Sequence, residues 1–334
     1  MSGLSACILG LEGPELQAGE RAFFTDAQPL GFILFARNVE SPARLAALTA
    51  DLRDSVGRDA PVLIDQEGGR VQRMRAPHWR EWLPPLDQAG RNADPRAMFL
   101  RYRLIAAELH EVGIDVDCAP MADIARADTH PFLRNRCLGE DAASVAVAAR
   151  AVAEGLMAGG VLPVLKHIPG HGRAAIDSHL SLPVVETEAE VLRAEDFAPF
   201  RALADLPMAM TAHLKYTAFD AARPATQSPA MVALIREEIG FRGLLMSDDI
   251  SMEALSGGVA ERAARTIAAG CDVVLHCNGK LEEMRAVAEA AGPLSGRAQE
   301  RAQSALACRA APQAIDIPAA EAELRALLGE DAYG

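Results

Sequence analysis

Aromatic side chains are scarce in this sequence, only 4% of its 334 residues. The apolar half is carried instead by alanine, leucine and valine, as in helix-rich α/β proteins. A basic surplus is also missing: 33 Lys and Arg stand against 46 Asp and Glu, a formal net charge of −13. Nucleic-acid binding needs a basic face, so no nucleic-acid partner is expected. Arginines gathered in one pocket for a small anionic ligand remain compatible with that balance.

No apolar run approaches the ~20 residues of a membrane span. Residues 1–13 carry no basic residue ahead of their short apolar stretch, so the pattern of a secretion signal is not met. The six cysteines, Cys7, Cys118, Cys137, Cys271, Cys277 and Cys308, form no CxxC pair, and Cys7 sits in the apolar run Ser5–Leu9. This is how buried, reduced thiols read. The expectation is a soluble cytoplasmic protein with no membrane association. Linkers rich in Gly and Ser, low-complexity tracts and internal repeats are missing too, so nothing marks a second domain.

What is present is a recurring pair of short apolar run and helical segment. Candidate strands lie at 5–10, 31–36, 61–65, 114–119, 161–166, 207–212, 243–247 and 272–276. They are apolar almost throughout, as strands buried on both faces of a parallel sheet are. Ser41-Pro42, Asp94-Pro95 and Ser228-Pro229 place a capping side chain before a first-turn proline. Thr187 with Glu190 predicts a capping box, and Gly57, Gly113, Gly159, Gly240 and Gly270 fall where helices should stop. Eight such units predict a (β/α)8 TIM barrel over 1–290, within reach of the fold's usual ~250 residues. An open doubly wound sheet is the alternative. Ala-rich helices at 296–310 and 319–328 predict a C-terminal appendage, 291–334, packed on the barrel.

Barrels bind ligands where strands end, and the polar residues collect there. Arg37-Asn38, Asp65 to Arg70, Asp123, Lys166-His167, His213, Asp248-Asp249 and His276 each follow or end a predicted strand. That clustering favours an enzyme over a scaffold. The segment KHIPGHGRAAIDSH, Lys166 to His179, begins a loop of roughly 20 residues without hydrophobic periodicity, a length uncommon unless functional. Within it Asp177 is spaced to orient and charge-stabilise the His179 imidazole. Asp248 and Asp249 are two carboxylates delivered by one apolar strand, a costly arrangement best explained if one reacts. On spacing alone, Asp248 as a helix N-cap is an equal reading.

The stretches IDQEGGRVQR (64–73), KHIPGHG-x4-DSH (166–179) and MSDDISM (246–252), in that order, resemble the family 3 glycoside hydrolases. The likeness covers about residues 1–290, and within the family it is to the bacterial β-N-acetylhexosaminidases of peptidoglycan recycling. The resemblance implies Asp248 as nucleophile of a covalent glycosyl-enzyme and His179, paired with Asp177, as acid/base. It implies that Asp65, Arg73, Arg136, Lys166 and His167 hold an N-acetylglucosamine unit. The implied substrate is the small molecule N-acetylglucosaminyl-1,4-anhydro-N-acetylmuramic acid, with or without peptide. No cofactor and no metal are implied. Arg134 and Leu138 depart from the family's usual glycine and aromatic, and Arg134 is a candidate for binding substrate carboxylates.

Other readings stand beside this one. Asp65 and Arg73 suit a structural ion pair at the barrel mouth. His167, His171 and His179 have zinc-ligand spacing on a helix, though Pro169, Gly170 and Gly172 break one. Lys166 suits a Schiff base. Transfer of the sugar to phosphate rather than water is the nearest rival, and a non-catalytic sugar-binding protein would need neither Asp248 nor His179. His213 is a weak subsite candidate and His276 a core or rim histidine. A monomer is expected.

Overall fold

The computed structural model describes residues 3–176, 181–329 and Tyr333. Eight parallel strands form one closed ring: β1 (Ser5–Leu9), β2 (Pro29–Leu34), β3 (Val62–Ile64), β4 (Val116–Asp117), β5 (Leu162–Ile168), β6 (Met208–Thr211), β7 (Leu244–Asp249) and β8 (Val273–His276). Each pairs with its successor, and β8 returns to β1 with Cys7 opposite Val274 and Ile8 opposite Leu275. Closure excludes the open sheet. β2, β5, β6 and β8 are buried along their whole length, which is why they lack alternation.

Outside the ring lie α1 (Ala18–Ala27), α2 (Pro42–Val56), α3 (Pro95–Glu111), α4 (Ala142–Ala158), α5 (Ala189–Ala194), α6 (Ala198–Ala202), α7 (Pro229–Glu237), α8 (Val259–Ala269) and α9 (Leu281–Ala291). Ser41, Asp94 and Ser228 each accept a first-turn amide, with proline next in the chain. The capping box expected at Thr187 does not form. Glu188 is the N-cap without a side-chain cap bond, and Glu190 pairs forward with Arg193 at 2.8 Å. An arginine one turn on competes for the carboxylate that the box requires.

Strand boundaries also shift, as at β2 and β5. β2 ends at Leu34, because the Asn38 side chain accepts the Phe35 amide at 2.9 Å and Ala36–Asn38 turn into a short 3-10 helix. β5 runs on to Ile168, which pairs with Thr211, so Lys166 and His167 are strand residues. The loop after β5 is not structureless either. Val184–Val185 pair in parallel with Lys215–Tyr216, tying the fifth and sixth βα loops together.

After the ring come α10 (Gly296–Ala307) and α11 (Ile317–Leu328). Arg309, between them, pairs with Asp115 at 2.7 Å. Arg96 pairs with Glu323 at 2.7 Å, holding α11 against α3. Among the described residues no helix is long and apolar enough to cross a membrane.

Candidate active site

The strand ends converge on a cavity of about 280 Å³. Asp65, Arg73, Arg136, Lys166, His167 and Asp248 all line it, so the described residues that the motif resemblance implied are brought together. Asp177 and His179 lie outside the described residues.

The floor is a chain of buried ion pairs. Lys166 Nζ lies 2.9 Å from Asp65 and 2.5 Å from Glu67. Arg73 takes the other Asp65 oxygen at 2.9 Å, so the expected Asp65–Arg73 pair exists and is part of the cavity wall. Arg136 grips Glu67 with two bonds, 2.9 and 2.7 Å, the bidentate geometry that makes arginine pairs strong. Burial alone would raise both carboxyls. Lys166 and Arg73 outweigh it at Asp65, holding it far below the ordinary carboxylate range. Arg136 and Lys166 do the same at Glu67, which is held at about 2. Three cations therefore face two carboxylates, leaving one positive charge over.

This floor depends on a tight turn after β3, where Gln66–Gly68 pairs back on Val71–Gln72. Gly68 sits at φ 104°, and a Cβ there would strike the Arg101 guanidinium and the Leu83 carbonyl. Only glycine fits that approach.

The second cluster is centred on Asp123, which is fully buried. One of its oxygens accepts the His167 ring Nδ1–H at 2.7 Å, and the other accepts the His171 amide at 2.5 Å. The carboxylate thereby holds a proton on Nδ1 and fixes the orientation of the His167 ring. His171 also lines the cavity. Burial, then the neighbouring His167, pushes its imidazole down to about 4, so it is neutral at ordinary pH.

The two adjacent acids of β7 are not equivalent. Asp249 accepts Ser251 N and Cys277 N through one oxygen, at 3.0 and 3.2 Å, and Ser251 Oγ through the other at 2.6 Å. It is a turn-forming carboxylate. Asp248 accepts only the Asp249 amide, at 2.8 Å, among the described residues. Burial would raise its carboxyl, but His167 and then His213 outweigh it and keep Asp248 ionised. No helix starts beside it, since α8 begins at Val259 with Gly258 as cap, so the N-cap reading of Asp248 is excluded.

Several sequence readings are corrected by this geometry. His213 bridges Thr226 Oγ1 at 2.7 Å and the Asp249 carbonyl at 3.0 Å. It braces the end of β7 and does not line the cavity. His276, expected at the core or the rim, is a core residue with no exposure. The zinc spacing presumed a helix, but Lys166 and His167 are in strand β5. Among the described residues no three His, Cys, Asp or Glu side chains gather to hold a metal. A Schiff base requires a neutral amine, whereas burial of Lys166 is overridden by Asp65 and Glu67, which keep it charged.

Arg134 is engaged elsewhere, with Glu140 at 2.5 Å and the Arg126 carbonyl at 3.1 Å, and it does not line the cavity. Its pairing competes with any role in binding substrate carboxylates. Because the pair is exposed, Arg134→Ala is expected to destabilise the fold by less than about 1 kcal/mol. It is also expected to leave KM for an anionic substrate unchanged, as steady-state kinetics would show.

Three residues of the site were named from the sequence without a sugar-site role: Glu67 and Asp123 as strand-end polar residues and His171 as a zinc candidate, and of these His171 lines the cavity. Glu67 stands in the same motif as Asp65, two residues on, and this spacing was the available signal. Asp123 and His171 carry no local signal that separates them from ordinary strand-end and loop residues.

The family model described as glycosyl hydrolase family 3 N terminal domain matches residues 9–306. The chain is 40% identical over 279 residues to the β-hexosaminidase of Methylococcus capsulatus, a match covering 81% of this chain and 82% of that one. The structure resembles native NagZ from Neisseria gonorrhoeae with a TM-score of 0.80 and 30% identity, covering 98% and 99% of the two chains. It also resembles a glycoside hydrolase family 3 β-N-acetylglucosaminidase from Paenibacillus sp. FPU-7, with a TM-score of 0.81 and 30% identity, over 98% of this chain and 63% of that one.

Proposed function

Since the chain belongs to glycosyl hydrolase family 3, we propose that it is a retaining β-N-acetylglucosaminidase that releases terminal N-acetyl-β-D-glucosamine from small peptidoglycan fragments. The observation that carries this reading is Asp248. It is an ionised cavity carboxylate outside every ion pair among the described residues, facing a floor already built of paired charges.

In this reading Asp65, Arg73, Arg136, Lys166 and His167 orient the sugar by hydrogen bonds to its hydroxyls. The surplus positive charge of the floor favours the ionised nucleophile. Asp248 attacks the anomeric carbon and the glycosidic bond breaks, with His179 as imidazolium protonating the departing oxygen. Water then enters, His179 takes its proton, and the hydroxide displaces Asp248. Asp177 stabilises the imidazolium. The roles of Asp177 and His179 rest on the resemblance of KHIPGHG-x4-DSH. The described stem of that loop supports a fixed base for them. Gly172 O accepts Thr129 Oγ1 at 2.6 Å, Ala174 O accepts His130 N at 3.0 Å, and Arg173 pairs with Asp196 at 2.7 Å.

The cavity volume is near the lower end of the roughly 300–1,000 Å³ typical of small-molecule sites, which supports binding one sugar residue at a time. The six cysteines are free and five are buried, which supports a reducing, cytoplasmic compartment. We read the protein as a monomer acting on a soluble fragment.

The test is release of 4-nitrophenol from 4-nitrophenyl N-acetyl-β-D-glucosaminide, with and without phosphate. Turnover independent of phosphate supports hydrolysis, whereas faster release yielding sugar 1-phosphate assigns phosphorolysis. His179→Ala is expected to lose about 10²–10⁴-fold on a natural disaccharide, the usual contribution of acid–base catalysis. The loss should be much smaller on the nitrophenyl substrate, whose leaving group needs little protonation. Equal losses on both substrates would remove His179 from the acid role.

A further inference from the structure

Asp117 ends β4 and is completely buried. The chemistry proposed above does not use it. One carboxyl oxygen accepts the Gln66 amide at 3.0 Å, and the other has no hydrogen-bond partner among the described residues. A buried polar atom without a partner is costly and calls for an explanation. Gln66 lies between Asp65 and Glu67, the two acids that hold the cationic floor. Its side-chain oxygen accepts the amides of Arg73 and Met74 at 2.9 and 3.1 Å, and its side-chain nitrogen donates to Met74 O at 2.9 Å. The residue that Asp117 pins therefore sets the backbone on both sides of the floor.

We propose that Asp117 is a positioning residue that, through Gln66, sets the placement of Asp65, Glu67 and Arg73 and so determines how tightly the sugar is held. The inference rests on the glycosidase reading. The charges around Asp117 give it a signature that a plain structural residue lacks. Asp65 and Glu67 face it from the turn after β3, Lys166 from β5, and Arg101 and Tyr102 from α3. Cys118 follows it on its own strand. Burial raises its carboxyl, only partly offset by the Gln66 amide and Lys166, and leaves it at about 7. Below that pH the neutral acid accepts the Gln66 N–H weakly. Above it the carboxylate makes a charge-assisted bond and balances the surplus cation of the floor.

The experiment compares kcat and KM for 4-nitrophenyl N-acetyl-β-D-glucosaminide across neutral pH in wild type, Asp117→Asn and Asp117→Ala, with thermal unfolding alongside. Wild-type KM is expected to fall as pH rises through about 7. Asp117→Asn keeps an acceptor oxygen but cannot ionise, so that inflection should vanish. Asp117→Ala should raise KM about tenfold or more with kcat changed much less. If Asp117→Asn, which differs from wild type by one isosteric group, retains the wild-type KM profile, the proposal is overturned, even should Asp117→Ala fail to fold. It is equally overturned if both variants unfold at lower temperature with wild-type KM. Wild type inert toward the substrate would instead overturn the glycosidase reading, and this inference with it.

Discussion

Asp248→Ala is expected to lower kcat by about 10⁴-fold or more, the scale seen when a covalent nucleophile is removed, while the protein folds as before. The other described acids near the cavity are already committed. Asp65 and Glu67 hold Lys166, Arg73 and Arg136. Asp123 holds His167 and the His171 amide, and Asp249 holds Ser251 and Cys277 N. Among the described residues Asp248 accepts one amide, its neighbour's, which in the proposed reaction leaves an oxygen for the anomeric carbon. Its alanine variant forfeits that one local hydrogen bond among the described residues, so the unfolding temperature should barely change. Asp249→Ala is the contrast: it removes three bonds that shape the turn after β7, so it should cost stability first. Turnover of the nitrophenyl substrate and thermal unfolding, measured on both variants, separate these outcomes. An Asp248→Ala protein that folds and retains activity within about tenfold of wild type would sink the nucleophile assignment.

The second large effect is expected at Glu67, whose side chain is 2% exposed between Lys166 and Arg136. Glu67→Ala should destabilise the protein by about 3–5 kcal/mol, because removing one partner strands a buried charge. Arg136 loses both of its charge-assisted bonds, whereas Lys166 keeps Asp65. Urea unfolding at neutral pH measures the loss, and on the proposed reading KM should rise with it because Arg136 is released and Lys166 keeps only Asp65. Acid adds an independent readout. The folded-state value of Glu67, about 2, lies below its ordinary 4.5. Its ionised form therefore stabilises the fold fully above the ordinary value, and that contribution fades as pH falls toward the folded-state value. Stability of wild type should drop more steeply through this window than that of Glu67→Gln. Parallel curves would mean that Glu67 is not ion-paired as described.

Much of the site was legible because barrel geometry converts position in a strand into position in space. Asp65, Lys166, His167 and Asp248 each close an apolar run, so each was expected at the same mouth, where the structure puts it. Arg73 and Arg136 needed more, since they stand on loops. The motif resemblance supplied them, and the cavity wall includes both. The failures are equally specific. Thr187 satisfied a local capping pattern, but Arg193 took Glu190. Arg134 looked like a spare cation, but Glu140 and the Arg126 carbonyl occupy it. His213 stood at a strand end but turned toward Thr226 and the backbone of Asp249. In each case a partner several residues away won the side chain, and local spacing does not record such competition.

The sequence by itself determined the ring and its active end. Apolar runs without alternation have to be buried on both faces, capped helices between them supply the cover, and eight such units bring the polar strand ends together. Tertiary structure alone decided which charges meet. Lys166 reaches Asp65 across 101 residues and Arg136 reaches Glu67 across 69, pairings that exist only once β3, β4 and β5 lie side by side. It also decided protonation, raising Asp117 to about 7 while holding Glu67 at about 2. The physical reason is that Coulomb energy and desolvation depend on distance and burial in space, which for residues this far apart are set by the packed strands and not by spacing along the chain.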